Sequence, residues 1–253
     1  MNFQGLRELS PHLPDLQSAQ GRIKLALRVL ILFTLTTLFF VWTDRLIPDW
    51  QPDGQILAMT LGFGITGQFF WRKRAFQDRY GKLAYRNAFV RFVLPGLSVI
   101  FATVVHSAYM PGIEIPELWW KVYLSALGWV FLSVGALLWA RAVMTFGADN
   151  LAMLYVYHPE SGRLVDTQIY GIMRHPVYSG ALRVIIGLCL LNGNWPALIF
   201  ALLAPIGFTG WIRLVEEREL LERFPGYAEY RQRVPAFWTW QAAKFWRFLL
   251  SGR

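Results

Sequence analysis

The sequence has few charged residues, a single cysteine and only four histidines among its 253 residues. Charged side chains make up 16% of the chain, against roughly 25% in an average globular domain, whereas apolar side chains make up 55%. One cysteine excludes a disulfide framework and a cysteine-built zinc site, and four scattered histidines argue against a histidine-built metal site. The composition therefore excludes an ordinary soluble domain and predicts an integral membrane protein without a metal centre.

Six apolar runs have roughly the length that an α-helix needs to cross a bilayer, which is about 20 residues. They lie at residues 25–42, 56–71, 88–110, 119–146, 177–191 and 195–215, and the second and fifth are short. Because the first run begins only near Leu25 and no small-residue cleavage site follows it, we expect no secretory signal. The fold class is predicted to be all-α, a polytopic membrane bundle of about six transmembrane helices.

The basic residues fall unevenly on the connections between these runs. Counted by alternate connections, 22 of the 25 Lys and Arg residues lie on one side, two lie on the other and one, Arg183, lies within a span. Since cytoplasmic loops carry the excess of Lys and Arg, we expect both termini, the long connection at 147–176 and the tail from Arg213 to be cytoplasmic. The net charge of +9 is thereby attributed to membrane orientation, and no nucleic-acid partner is expected.

These assignments divide the chain into four predicted parts. A cytosolic segment (1–24) precedes four transmembrane helices (25–146), and a polar core (147–235) contains a helical hairpin at 177–215. In the last part (236–253), three tryptophans stand beside Lys244 and Arg247. This mixture is typical of an amphipathic helix at the membrane surface.

Residues 62–67 read Gly-Phe-Gly-Ile-Thr-Gly and match the G-x-G-x-x-G pattern. A dinucleotide fingerprint needs a preceding strand and an acidic residue about 20 positions later. Here the pattern lies inside an apolar run, where small residues permit close helix packing. We therefore interpret it as a packing motif, and His106 and Cys189 as packed residues of their spans.

Two polar stretches carry the chemistry, at 164–180 and 213–235. In the first, His175-Pro176 fits a helix start, where exposed N–H groups and Arg174 would favour an acidic ligand group. An ordinary membrane-proximal arginine is the alternative. In the second, Arg213 and Glu217 lie four residues apart on one helix face. They form either part of a solvated, salt-bridged helix or a pair beside a cytosolic cavity.

Together these stretches resemble the isoprenylcysteine carboxyl methyltransferases and their relatives, the membrane phospholipid methyltransferases. The family pattern is R-H-P-x-Y-x-G, a helical hairpin, E-E with leucines, a glycine turn, paired tyrosines and V-P. This chain supplies Arg174-His175-Pro176-Val177-Tyr178-Ser179-Gly180, Glu216-Glu217, Leu220-Leu221, Gly226, Tyr227-Ala228-Glu229-Tyr230 and Val234-Pro235.

Upstream, Phe146-Gly147-Ala148-Asp149-Asn150 resembles the family's glycine-containing entry to the cofactor loop, so that the resemblance spans roughly residues 140–235. One position departs from the pattern, because Gln168 stands where the family has glycine before Tyr170.

The resemblance implies a methyltransferase that binds S-adenosylmethionine between the cytosolic loop and the tail, and it assigns residues 147–235 to the cofactor-binding core. Aromatic faces attract a sulfonium ion, and a carboxylate accepts from sugar hydroxyls or an amine. Arg213, together with Arg183, is expected to orient an acceptor oxygen; snorkelling to the interface is the alternative for Arg183. The implied cofactor-binding residues are Ala152, Met153, Leu154, Tyr155, Tyr170, His175, Pro176, Val177, Tyr178 and Glu217.

The acceptor is left open among an isoprenylcysteine-like carboxylate, a phospholipid headgroup and a free isoprenoid or fatty acid, so the expected partner is a lipid or a lipidated protein. The membrane sterol and steroid reductases have a similar R-H-P-x-Y turn but bind a reduced nicotinamide. Glu216-Glu217 and the lack of a tail cysteine favour the methyl donor over that alternative. A non-enzymatic lipid-binding protein is the third possibility, and the oligomeric state is undetermined.

Overall fold

The computed structural model describes residues 5–116, 118–161 and 164–252, and every regular element in these ranges is helical. Glu117, Arg163 and Arg253, which contribute to the predicted charge distribution, lie outside the described residues. Short 3-10 turns and two π-helical turns, Phe89–Val93 and Ile212–Glu216, connect or interrupt the α-helices. The α-helices are α1 (Leu6–Leu9), α2 (Ala19–Leu46), α3 (Asp53–Trp71), α4 (Lys73–Tyr80), α5 (Ala84–Ala88), α6 (Leu94–His106), α7 (Leu118–Phe146), α8 (Ala148–Leu151), α9 (Leu154–Tyr157), α10 (Pro176–Asn192), α11 (Trp195–Trp211), α12 (Glu217–Arg223), α13 (Tyr227–Arg233) and α14 (Ala242–Ser251).

Each of the six predicted apolar runs lies mainly in a helix. In the described part of the chain, four helical stretches are long and apolar enough to cross a membrane, namely Ala19–Leu46, Lys73–His106, Leu118–Phe146 and Trp195–Arg223. The two short runs correspond to α3, with 19 residues, and α10, with 17. The all-α polytopic membrane bundle is therefore confirmed.

The bundle has two groups of packed helices. Helix α6 packs against α2 and α3, whereas α10 packs against α7 and α11. The predicted packing motif lies between α3 and α6, because a Cβ atom on Gly96 would lie only 2.8 Å from the Gly62 carbonyl oxygen. Gly62 therefore permits close packing as expected, whereas Gly64 has open space beside it.

Helices α7 and α10 approach so closely that their backbones touch. Gly128 and Gly135 on α7 face Gly187 and Gly180 on α10, with a seven-residue spacing on both helices. A Cβ atom on Gly180 would lie 2.8 Å from the Cα atom of Trp139, which leaves no room for a side chain. This contact fixes where α7 ends relative to where α10 begins.

The site end of the bundle, where α7 ends and α10 begins, is covered by segments from both termini. Leu9 and Leu13 from the N-terminal segment lie in one apolar cluster with Leu154 and Tyr155. Phe248, with two other buried residues of α14, lies in a second cluster with Ile169 and Tyr170. The predicted C-terminal helix thus exists, and one of its faces packs on the protein.

Candidate active site

The two polar stretches meet at the site end of the bundle through backbone hydrogen bonds. The Arg174 N–H donates to the Pro235 carbonyl at 2.9 Å, and the His175 N–H donates to the Ala236 carbonyl at 3.0 Å. These bonds satisfy donors just before Pro176, where α10 begins and no preceding helical turn supplies acceptors. The tail is thereby held against the start of α10.

Glu217 is the centre of the charged cluster that results. It begins α12, directly after the π-helical turn Ile212–Glu216, and only 2% of it is exposed. Its Oε1 atom accepts hydrogen bonds from Arg174 Nη2 at 2.7 Å and from Arg174 Nε at 3.0 Å. Its Oε2 atom lies 3.1 Å from Arg231 Nε. Two guanidinium groups thus compensate a carboxylate that would be costly to bury alone.

His175 lies between two carboxylates. Its Nε2 atom is 3.1 Å from Glu217 Oε1, and its Nδ1 atom is 3.6 Å from Glu216 Oε1. Burial lowers the pKa of the imidazole, but the nearby Glu216 and Glu217 carboxylates outweigh burial, so that the pKa lies above its usual value. With an acidic oxygen facing each ring nitrogen, the arrangement favours the imidazolium form of His175.

Tyr178 connects this cluster with an apolar cavity. Its hydroxyl oxygen accepts a hydrogen bond from Trp211 Nε1 at 3.3 Å, and the rings of His175 and Tyr178 lie 6.1 Å apart. Trp211 also lines a cavity of about 610 Å³ between α3 and α11, whose other lining residues include Phe63 and Phe208. The Tyr178 side chain therefore lies between the charged cluster and the apolar cavity.

The chain segments before α10 form a second wall. The Tyr170 ring stacks on Phe146 at 5.2 Å, and its backbone carbonyl accepts from the Tyr230 hydroxyl at 2.6 Å. Met153, between α8 and α9, takes a left-handed φ of 54° that turns the chain at this wall. Burial raises the pKa of Tyr155 and Tyr170 well above the ordinary value, so both phenols stay protonated.

The two arginines expected to orient an acceptor lie apart from each other. Arg213 is exposed on the π-helical turn beside Leu214, which lines the apolar cavity. Arg183 is buried on the face of α10 that packs against α7, and its guanidinium carbon lies 4.1 Å from the centre of the Trp238 ring. Among the described contacts, neither arginine pairs with Glu217.

Comparison with known proteins matches the same half of the chain. The family model for phospholipid methyltransferase matches residues 123–226. The chain is 30% identical over 148 residues to protein-S-isoprenylcysteine O-methyltransferase B of Arabidopsis thaliana, covering 57% of this chain and 72% of the relative. The chain belongs to the isoprenylcysteine carboxyl methyltransferase and phospholipid methyltransferase family. It is thus a membrane methyltransferase by family.

Two further relatives match over shorter segments. A probable protein-S-isoprenylcysteine O-methyltransferase of Oryza sativa is 28% identical over 141 residues, which cover 54% of this chain and 72% of the relative. The cobalt-zinc-cadmium resistance protein CzcN of Cupriavidus metallidurans is 35% identical over 89 residues, which cover 33% of this chain and 39% of that protein. No solved structure matches the chain.

The family pattern accounts for the turn before Tyr170 but not for every contact that supports the neighbouring chain. Gln168 has a left-handed φ of 53° at the position where the family has glycine, so this chain keeps the turn with a residue that disfavours it. The Ala152 carbonyl accepts from the Tyr85 hydroxyl at 3.0 Å. Tyr85 lies on α5, before the region that the family model matches, and no motif around it indicated a role.

Sequence reasoning also missed three residues of the charged cluster. Arg174 was expected either to favour an acidic ligand group or to be an ordinary membrane-proximal arginine, whereas it is the main partner of Glu217. Arg231 supplies the second guanidinium, and the Tyr227 hydroxyl lies 3.4 Å from Glu217 Oε1. The paired tyrosines of the family pattern are the one signal that pointed to this part of the tail.

Proposed function

We propose that the protein transfers a methyl group from S-adenosylmethionine to a carboxylate oxygen of a lipidic acceptor. The observation that carries the proposal is the contact between Tyr178 and Trp211, which joins the buried charged cluster to the apolar cavity. A polar donor and an acyl or isoprenoid chain need two such neighbouring compartments. Positioning and exclusion of water are the main contributions that the protein makes to such a transfer.

A second buried acidic group lies on α8, outside the Arg174–Glu217 cluster. Asp149 lies beside Gly5 of the N-terminal segment and is 6% exposed, and its Oδ1 atom is buried without a hydrogen-bond partner among the described residues. A buried carboxylate oxygen in this condition suits a ligand that brings its own donors, such as ribose hydroxyls or an amine. When bound, S-adenosylmethionine supplies an electrophilic methyl group on a sulfonium. The residues proposed to surround it are Ala152, Met153, Leu154, Tyr155, Tyr170, His175, Pro176, Val177 and Tyr178.

Glu217 reaches the donor only by exchanging a partner. Both of its oxygens are paired, Oε1 with Arg174 and His175 and Oε2 with Arg231. The Arg231 side chain is 43% exposed, so it is the partner that can leave at the lowest cost. We therefore assign Arg231 as the group that a polar atom of the donor displaces from Glu217.

The protonation state of His175 bears on the acceptor. Methylation of an amine releases a proton that a base must take up, whereas a carboxylate oxygen is methylated without proton removal. The carboxylates that face the two ring nitrogens favour the protonated form of His175, and that form has no free lone pair to act as a base. This favours an acidic acceptor, such as an isoprenylcysteine-like carboxylate, over an aminophospholipid.

Arg213 is the residue proposed to orient the acceptor carboxylate. It lies beside Leu214 and two positions before Val215, both of which line the cavity, and its side chain is exposed. A guanidinium at this place binds a carboxylate while the apolar chain lies between α3 and α11. Arg183 does not have this role in the proposal, because it lies on the face of α10 that packs against α7 and does not line the cavity.

The distribution of basic residues supports a cytoplasmic site. The site end of the bundle carries both described terminal segments and the Arg174–Glu217 cluster. The positive-inside tendency supports a cytoplasmic position for this end, where a soluble donor is available. The acceptor then enters sideways from the bilayer, in the inner or another cytoplasm-facing membrane.

The test uses the full-length protein reconstituted in nanodiscs with S-adenosylmethionine carrying a labelled methyl group. Acceptors are an S-farnesylcysteine with a free carboxylate, a fatty acid, phosphatidylethanolamine and, as the matched control, the farnesylcysteine methyl ester. We expect label on the free carboxylate and none on the ester, and Arg213→Gln raises the acceptor KM without changing donor affinity. Label on phosphatidylethanolamine alone overturns the carboxylate assignment.

The alternatives are tested in the same preparation. Binding of NADPH in place of S-adenosylmethionine would indicate a reductase. Donor binding without methyl transfer to any acceptor, including total membrane lipid, would indicate a non-enzymatic role.

A further inference from the structure

Arg183 is a buried cation without a carboxylate partner. The residue is 8% exposed, and among the described residues no acidic side chain forms an ion pair with it. Its Nη1 atom donates to the Ser179 carbonyl at 3.0 Å and also to the Ser179 hydroxyl. Its Nε and Nη2 atoms donate to none of the described groups. A buried charge is normally paired, so these free donors suit an anion.

Two aromatic rings bound the guanidinium. Its carbon lies 4.1 Å from the centre of the Trp238 ring and 5.7 Å from that of Phe245. Ring faces attract a cation but do not neutralise it. The charge is therefore held in place without being balanced.

The surrounding tail is positively charged. From Tyr230 to Gly252 the chain has four basic residues and no acidic one. Helix α14 has three faces: Phe245 and Phe248 are buried against the protein, Trp246 and Leu250 are exposed, and Lys244 and Arg247 lie on the remaining face. An apolar face next to a basic face is typical of a helix at the boundary between acyl chains and headgroups. Arg183 thus lies beside a headgroup-level helix.

This place is separate from the apolar cavity. On α10, Leu182 and Cys189 belong to the cluster that packs with α11, whereas the Arg183 Cβ atom faces Gly135 of α7. The Ser179 hydroxyl donates to the Phe237 carbonyl at 2.6 Å, which ties the tail to this second face of α10.

We propose that Arg183, Ser179 and Trp238 form a binding site for the phosphate of an anionic phospholipid, distinct from the acceptor cavity. The phosphate bonds the free Nε and Nη2 donors of Arg183, and the acyl chains follow the exposed apolar face of α14. Because α14 also packs on Ile169 and Tyr170, the bound lipid braces the wall of the candidate active site. The binding itself does not depend on the proposed methyl transfer.

The test makes two measurements on the full chain. The first compares its unfolding midpoint in nanodiscs of phosphatidylcholine alone with that in nanodiscs of phosphatidylcholine mixed with phosphatidylglycerol. The second identifies the lipid that the protein retains in native mass spectrometry. Wild type is expected to be stabilised by phosphatidylglycerol and to retain it selectively. Arg183→Gln loses both effects, and Arg183→Lys, which keeps the charge but not the fork of donors, loses most of the selectivity. The matched control, Arg247→Gln, removes an exposed charge of α14 and keeps both.

Two outcomes overturn the proposal. The first is that Arg183→Gln and Arg247→Gln weaken the phosphatidylglycerol effect equally, because diffuse surface charge then explains it. The second is that soluble glycerophosphate in pure phosphatidylcholine stabilises wild type as much as the anionic lipid does, because the ligand is then a free anion. If Arg183→Gln does not fold, Trp238→Ala gives the same comparison without removing the buried charge.

Discussion

Arg174 Nη2 lies 2.7 Å from Glu217 Oε1, and the two side chains are 10% and 2% exposed. Arg174 Nη1 also donates to the carbonyl groups of Arg231 and Val234. One guanidinium thus links the start of α10, the start of α12 and the C-terminal end of α13. Its position makes it the main connection between the two polar stretches of the site.

Removal of this ion pair is predicted to destabilise the protein strongly. Arg174→Gln leaves the Glu217 carboxylate buried with fewer partners, and breaking a buried pair costs about 3–5 kcal/mol. Chemical denaturation in detergent measures the loss. Arg218→Gln, which breaks an exposed pair with Glu222, is the matched control and should cost less than about 1 kcal/mol. Equal losses in the two variants would contradict the central role of Arg174.

The contribution of His175 is predicted to fall as pH rises. The pKa of His175 is raised in the folded state, so folding favours the protonated form. Its stabilisation is fully present below the pKa of an unfolded histidine, about 6.5, and is lost as pH rises through the higher folded value. The difference in unfolding midpoint between wild type and His175→Gln should therefore shrink from acidic to alkaline pH. A difference that grows with pH would mean that His175 is neutral in the fold.

Gln168 is predicted to tolerate glycine better than a β-branched residue. Its left-handed backbone costs a non-glycine residue roughly 1–2 kcal/mol, which Gln168→Gly relieves. Two effects offset that gain. Glycine gives the unfolded chain greater freedom, and the 3.1 Å hydrogen bond between Gln168 Oε1 and Thr145 is lost. We expect Gln168→Gly to lie within about 1 kcal/mol of wild type and Gln168→Val to be clearly less stable. Thermal unfolding of both variants decides the point.

His106 has an oxygen acceptor at each ring nitrogen. Its Nδ1 atom is 2.6 Å from Gln55 Oε1, and its Nε2 atom is 2.8 Å from Asp44 Oδ2. The Gln55 amide is oriented by its Nε2 donor, which bonds the Thr103 carbonyl at 2.7 Å. The His106–Asp44 pair must therefore hold two protons in total. One is on Nδ1 and is donated to Gln55 Oε1, and the other lies between Nε2 and the Asp44 carboxyl group.

Asp44→Asn is predicted to be milder than Asp44→Ala. The asparagine amide can donate to Nε2 of a neutral His106, so every hydrogen bond is kept with one proton fewer. Asp44→Ala leaves Nε2 of His106 without its partner, at about 1–3 kcal/mol for a buried group. It also leaves the half-buried Trp50 indole, which donates to Asp44 at 2.9 Å, without its acceptor. Unfolding midpoints and the nitrogen NMR shifts of His106 measure both effects. Equal destabilisation by the two substitutions would contradict this proton count.

The sequence predicted what depends on hydropathy and on local pattern. The six apolar runs, the helix start at Pro176 and the C-terminal amphipathic helix are all present. Helix bounds differ where polar residues continue a helix beyond its apolar part, as in α2 (Ala19–Leu46), which extends beyond both ends of the predicted run at 25–42. Hydropathy marks only the lipid-facing part of such a helix.

Contacts between distant segments were beyond sequence reasoning. Tyr85 supports the Ala152 carbonyl from 67 positions away, and no local pattern encodes that meeting. Arg183 was expected near the acceptor, but its direction depends on which face of α10 packs against α7. A charge inside a span indicates a buried role without showing which neighbour it meets.

The glycine contact between α7 and α10 determines which helices can move apart. Two backbones in direct contact over two helical turns cannot slide or separate without losing that whole surface, so this pair acts as a rigid wall. The apolar cavity lies between α3 and α11, away from this rigid pair, so it can widen for the proposed acceptor by displacement of α11 from α3. Pro205 inside α11 interrupts its backbone hydrogen bonding, and it therefore supplies a point at which that helix can bend while the rest of the bundle stays still.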